Sequence, residues 1–237
     1  MRRRSFMRLG AAGAAGLVVG AACYESAEAA SWIRMPGALK WVATAADDET
    51  WGVNDADQIY VWRNGWRRAP GALRQISVGS KSVVWGVNRA DEIYRWNGVN
   101  WESVPGALVN VSAARDGSVW GVNRTDEIYR WDGANWTLFP GKLVQISAGR
   151  AGMVWGVNRA GAIWRLAGSA WQRMPGSLKN VSVASDGSVW GVNASDEIYT
   201  WTSPGWVRID GSLKEVSVGR QGRVWGVNSA DEIFSLR

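Results

Sequence analysis

The phrase Trp-Gly-Val-Asn occurs six times in this 237-residue chain, beginning at Trp51, Trp85, Trp120, Trp155, Trp190 and Trp225. The intervals are 34, 35, 35, 35 and 35 residues. A fixed period of this length means one supersecondary unit copied six times. A single such unit cannot bury its own apolar faces, so the copies must pack on one another.

The third copy shows the unit most cleanly. Leu108–Ala113, Ser118–Asn123, Asp126–Trp131 and Trp136–Gly141 are short runs rich in Val, Ile, Tyr and Trp, each bounded by Gly, Asn, Asp or Pro. That is strand-and-turn chemistry, and no helical period appears after residue 30. Gly117, Gly152, Gly187 and Gly222 fall where a hairpin needs positive φ. Pro36, Pro70, Pro105, Pro140 and Pro175 close the fourth strand, because proline has no N–H to give a ladder; Asp210 stands in the sixth such slot. Four strands in each of six copies predict an all-β, six-bladed β-propeller spanning 30–237. The chain enters on Trp32–Gly37, a fourth-strand pattern, and ends on Asp231–Arg237, a third-strand pattern. The N-terminal strand is therefore expected to join the last blade and close the ring. The inner strand is expected at Leu73–Val78 and its equivalents, with Ser77, Ser112, Ser147, Ser182 and Ser217 on the axis and the tryptophans in the wedges between blades.

Residues 1–29 read as an export signal. Met1–Arg8 is basic, Leu9–Cys23 is small and apolar, and Ala27-Glu28-Ala29 offers a small-x-small cleavage site. Arg3-Arg4-Ser5-Phe6-Met7-Arg8 resembles the bacterial twin-arginine motif; an Arg-rich general secretion signal is the alternative. The expected location is secreted or periplasmic. Cys23, the sole cysteine, is expected to leave with the signal, and membrane attachment would come only from a lipid anchor there. Four of the 27 basic and two of the 21 acidic residues lie in 1–29, which leaves 23 and 19 scattered through the repeats. Such scatter gives no basic face for nucleic acid.

The unit Leu-x-x-Val-Ser-x-(turn)-Val-Trp-Gly-Val-Asn-x-x-Asp-Glu-Ile-Tyr-x-Trp-x-Gly resembles the tectonin repeat over Trp32–Arg237. The resemblance to tectonin and tachylectin-1-like proteins implies a six-bladed propeller. It also implies a lectin for bacterial surface glycans, lipopolysaccharide or methylated sugars, or else a scaffold that contacts envelope proteins. Sugar recognition needs an aromatic face and planar polar groups. The candidate ligand-binding residues are Trp62, Trp96, Trp131 and Trp201, with Asn88 and Asp91, Asn123 and Asp126, Asn193 and Asp196, and Tyr94, Tyr129 and Tyr199. For the tryptophans, edge packing is an equal reading; for the Asn–Asp pairs, side chains bonding their own turn is another.

Catalysis has little to stand on. The chain has no histidine, which removes His-based triads, His general bases and His-ligated metals. An enzyme would need two unrepeated carboxylates facing each other across the channel. No cofactor or metal site is expected, and Asp47-Asp48-Glu49 reads as a solvated acidic turn rather than a Ca²⁺ loop. The fourth copy departs most, with Gly161-Ala162 for Asp-Glu, Trp164 for Tyr and Leu166 for Trp. A scaffold reading places an apolar patch there.

Overall fold

A computed structural model of the protein describes residues 31–45, 47 and 49–236. The signal segment, Cys23 and Asp48 lie outside the described residues. The chain forms six four-stranded antiparallel sheets. Blade one is Trp41–Thr44, Thr50–Val53, Gln58–Trp62 and Trp66–Ala72, running from inner to outer strand. The inner strands of blades two to six are Gln75–Ser80, Asn110–Ala113, Gln145–Arg150, Asn180–Val183 and Glu215–Val218. They start two residues later than the sequence indicates, because Leu73 and its equivalents leave the ladder to pack on the blade face. Trp32–Ala38 pairs antiparallel with Glu232–Leu236 as the outer strand of blade six, with Trp32 opposite Leu236, and closes the ring.

The repeated glycine follows from that packing. A Cβ on Gly86 would lie 2.4 Å from Leu73 Cδ1, and one on Gly121 2.3 Å from Leu108 Cδ1. Across the ladder Gly86 pairs with Tyr94 and Gly121 with Tyr129.

The core lies between blades. Trp51 of blade one meets Trp96 and Trp101 of blade two edge-on, with ring centroids 5.5 and 6.1 Å apart. Trp85 meets Trp131 and Trp136 edge-on, while Trp155 meets Trp206 and Trp225 meets Trp66 edge-on and Trp201 and Trp62 respectively at a tilt. A buried aromatic of this kind is worth on the order of 4–6 kcal/mol before ordering entropy. At the seam of blades three and four, Leu166 is buried and Phe139 bridges Trp120 to Trp171. The expected apolar patch on blade four is therefore interior packing as far as Leu166 is concerned.

The proline slot works differently from expectation. In blades one, three, four and six the proline sits within the outer strand, next to a register shift, rather than at its end. Its carbonyl accepts the indole N–H of the next blade: Trp66 donates to Pro36 and Trp101 to Pro70, both at 2.9 Å. Trp32 donates likewise to Asp210 O at 2.7 Å. Only the carbonyl matters, so aspartate serves in the outer strand of blade five.

At the axis the first side chain of each inner strand clasps the next blade. Trp41 Nε1 donates to Ile76 O at 2.9 Å, and Gln75 exchanges two bonds with the Val111 backbone at 3.0 and 2.9 Å. Asn110 accepts from Ile146 N, Gln145 repeats the double bond on Val181, and Asn180 accepts from Val216 N. Glu215 completes the circle by accepting from Val42 N at 3.3 Å. One level along, Ser77, Ser112, Ser147, Ser182 and Ser217 each accept from a backbone N–H of the next blade at 2.9 Å.

Candidate functional site

The second-to-third-strand turns place the predicted Asn, Asp and Tyr residues. In blade two, Asn88 Oδ1 accepts from the N–H groups of Ala90 and Glu92, both at 2.9 Å. Its Nδ2 donates to Glu92 Oε2 at 2.6 Å, and Tyr94 OH donates to the same oxygen at 2.9 Å. Asn123, Glu127 and Tyr129, and Asn193, Glu197 and Tyr199, repeat the arrangement. The Asn donors, with the Tyr hydroxyls, hold Glu127 and Glu197 below the usual carboxylate range. Bonding to its glutamate raises the Tyr94 phenol, and so too Tyr199. The clusters of blades three and five thus each hold a fixed carboxylate with two donors beside it at neutral pH.

The aspartates point elsewhere. Asp91, Asp126 and Asp196 take positive φ of 64, 65 and 64° in their turns. Asp91 pairs with Arg74 and with Arg124 of the next blade; Asp126 pairs with Arg159 at 2.6 Å. Asp196 accepts from Lys179 and from the hydroxyl of Ser229, bonds that hold its carboxyl low. Asp57 pairs with Lys40 and Arg89; burial opposes ionisation there, but the bonds from both cations outweigh it and keep the carboxyl low. In blade four Gly161 takes the same left-handed turn position at φ 76°, and the next blade has Ala194 where blades two, three and four carry Arg89, Arg124 and Arg159. Carboxylate and partner are absent together.

A cleft of about 310 Å³ brings two of the predicted residues together. Asn88 and Tyr94 line it with Trp101 and with Gly71-Ala72-Leu73 of blade one. Trp101 lies against Gly71, where a Cβ would come within 2.8 Å of its ring. Gly106 with Trp136 and Gly176 with Trp206 repeat that contact. Asp91 lines no part of this cleft, and Trp96 stands in the tryptophan triad behind Trp101. Trp62, Trp131 and Trp201 hold the corresponding half-buried places in their own triads. The sequence favours edge cover over binding for the outer-strand tryptophans, Trp101 among them, and gives the glutamate no role in the site. The signal for Glu92 is strand alternation, which puts it and Tyr94, two apart, on one face.

The axial channel is narrow, about 60 Å³, and Glu215 is its one carboxylate among the described residues. Burial pushes Glu215 up to about 8, against the pull of the Val42 N–H and Lys214. Among the described residues no three His, Cys, Asp or Glu side chains are grouped to hold a metal ion.

A family model described as the Tectonin domain matches residues 10–98, 83–168 and 151–237. A search of curated proteins finds no match. Among solved structures, the Cps50 (Swd1) β-propeller domain of Myceliophteria thermophila superposes with a TM-score of 0.65 at 7% identity, covering 87% of this chain and 99% of that one. The WD40 propeller domain of Doa1 gives 0.62 at 9%, covering 88% and 97%. YCF48 bound to D1 peptide gives 0.58 at 13%, covering 83% and 76%. At these identities the likeness is one of fold alone.

Proposed function

Because the chain belongs to the tectonin-domain family, we propose that it is an exported bacterial carbohydrate-binding propeller that recognises repetitive surface glycans, lipopolysaccharide included. The observation that carries this reading is the cleft between blades one and two, where the Trp101 ring stands beside the Asn88–Glu92–Tyr94 cluster. An indole face suits the C–H face of a pyranose, and a fixed carboxylate with neighbouring donors suits its hydroxyls. Sites of this size bind weakly one at a time; repetition around the ring converts weak contacts into avidity on a repetitive surface. No residue is assigned a catalytic role.

The test is binding of the purified protein to an array of bacterial glycans and lipopolysaccharides. A triple variant, Tyr94→Phe, Tyr129→Phe and Tyr199→Phe, deletes three hydroxyls while keeping the rings. Saturable binding that free sugar inhibits, and that falls about tenfold or more in the triple variant at unchanged Tm, is the expected result. A blank array from folded protein would sink the lectin and leave an envelope-protein scaffold as the reading.

A further inference from the structure

One cleft carries a pair of carboxylates, Asp47 and Glu49, that no other blade repeats. It holds about 550 Å³ on the face of the inner-to-second and third-to-outer hairpins, opposite the Asn–Asp turns. Trp62 of blade one and Trp225 of blade six form its walls, with ring centroids 5.6 Å apart. Trp225 is the one Trp-Gly-Val-Asn tryptophan that is only half-buried; the other five are buried.

Glu49 lies at the base of the cleft, 2% exposed. Its Oε1 accepts from Trp51 Nε1 at 2.7 Å and from Arg63 at 2.6 Å, while Oε2 has no partner. Asp47 beside it accepts from Lys81 N through Oδ2 and leaves Oδ1 unpartnered. The corresponding turns of blades three and five carry Ser118 and Ser188 in place of Glu49, and there the serine N–H bonds Asp116 or Asp186 at 3.1 and 3.0 Å. Blade one alone combines a buried glutamate with two unsatisfied carboxylate oxygens. Buried acceptors without partners are rare in native proteins and point to a missing donor.

We propose that this cleft is a single-copy site for a neutral saccharide, separate from the repeated clefts and on the opposite face. The sugar ring lies on the Trp62 and Trp225 faces. Its hydroxyls donate to Glu49 and Asp47 and accept from Arg63 and Asn64. A turn of the Glu49 side chain presents Oε2, and Arg63, 45% exposed, moves with it. Asp47 and Glu49 stand among Arg63, Lys81 and Arg223, so the cleft offers acceptors and donors together, and a polyol, whose hydroxyls both donate and accept, satisfies both sets. The ligand class rests on the saccharide reading above; the place does not.

The experiment is saturation-transfer NMR and titration calorimetry with glucose, galactose, mannose and N-acetylglucosamine, on wild type, Glu49→Gln and the tyrosine triple variant. We expect at least one hexose to bind with one equivalent, to weaken about tenfold or more in Glu49→Gln, and to be unchanged in the triple variant. Should Glu49→Gln lower Tm sharply, Trp62→Phe and Arg63→Ala at the rim take its place with the same readout. Hexose binding that ignores Glu49 and falls with the tyrosines overturns the cleft and leaves the repeated sites standing. No hexose binding to wild type also overturns it, and the glycan array then judges the repeated sites separately.

Discussion

Glu215 is the one acid in a circle of six clasps otherwise made by amides and an indole. Where Gln75 and Gln145 stand, the side chain both accepts from the next blade and donates to its carbonyl. A carboxyl can match that pairing on Val42 only when protonated. The seam between the last blade and the first is thus built on a neutral acid, with Lys214 alongside and Arg74 and Lys179 across the channel mouth. Its folded pKa, about 8, exceeds the ordinary value of 4.5. The folded state therefore holds a proton that the unfolded chain releases, and stability falls as pH rises from about 4.5 to about 8, then levels. The slope contributed is at most about 1.4 kcal/mol per pH unit. Glu215→Gln should flatten that slope and raise Tm at pH 8–9 while leaving pH 4–5 unchanged. Parallel Tm–pH curves for variant and wild type would show that the carboxyl ionises freely in the fold.

Between elements, the seams alternate. Blades one, three and five each reach forward with an aspartate: Asp47 accepts from Lys81 N at 3.0 Å, Asp186 from Gln221 N at 2.9 Å, and Asp116 from Ala151 N. The other three seams close on glycine. A Cβ on Gly79 would lie 2.3 Å from Ala114 O, one on Gly149 2.2 Å from Ala184 O, and one on Gly219 2.8 Å from Ala45 O. Backbone on backbone cannot yield, so Gly79→Ala should separate the inner strands of blades two and three at a cost of roughly 3 kcal/mol. Gly205→Ala, with nothing near its Cβ, is the control. Equal urea midpoints for the two variants would mean the seam has slack. The blade count, the strand order and the tryptophan wedges were legible because Trp-Gly-Val-Asn repeats at every copy. The two-blade alternation was not, although Asp116-Gly117 and Asp186-Gly187 carry it, because matching the copies on their shared residues hides what differs between neighbours. The site was half legible. Asn88 and Tyr94 stood out by repetition, whereas the ion pair of Asp91 with Arg124 joins residues 33 apart across a seam, which no local pattern shows. Glu49 looked like part of a solvated turn; only the packing of Trp51 and Arg63 around it reveals a buried acid.

At the scale of the whole molecule, a ring of blades is only as stable as its weakest seam, since opening one exposes the edges on both sides. The closing contacts are concentrated in Trp32–Ala38. Trp32 donates to Asp210 O and packs edge-on against Trp190 with centroids 6.5 Å apart, and the strand covers Glu232–Leu236. Deleting 32–38 removes the outer strand of blade six and the ring contact to blade five together, while every residue of blades one to four remains. The exposed third strand is then a free edge of the kind that recruits a strand from another chain. The truncated protein should lose more than about 10 °C in Tm and form oligomers on size-exclusion chromatography with light scattering. Adding a synthetic 31–38 peptide should restore the monomer by strand addition, and a Trp32→Ala peptide should do so more weakly. A truncated chain that stays monomeric at unchanged Tm would mean that the inner clasps of Glu215 and Ser217 on blade one hold the circle by themselves, and the N-terminal strand would be cover rather than closure.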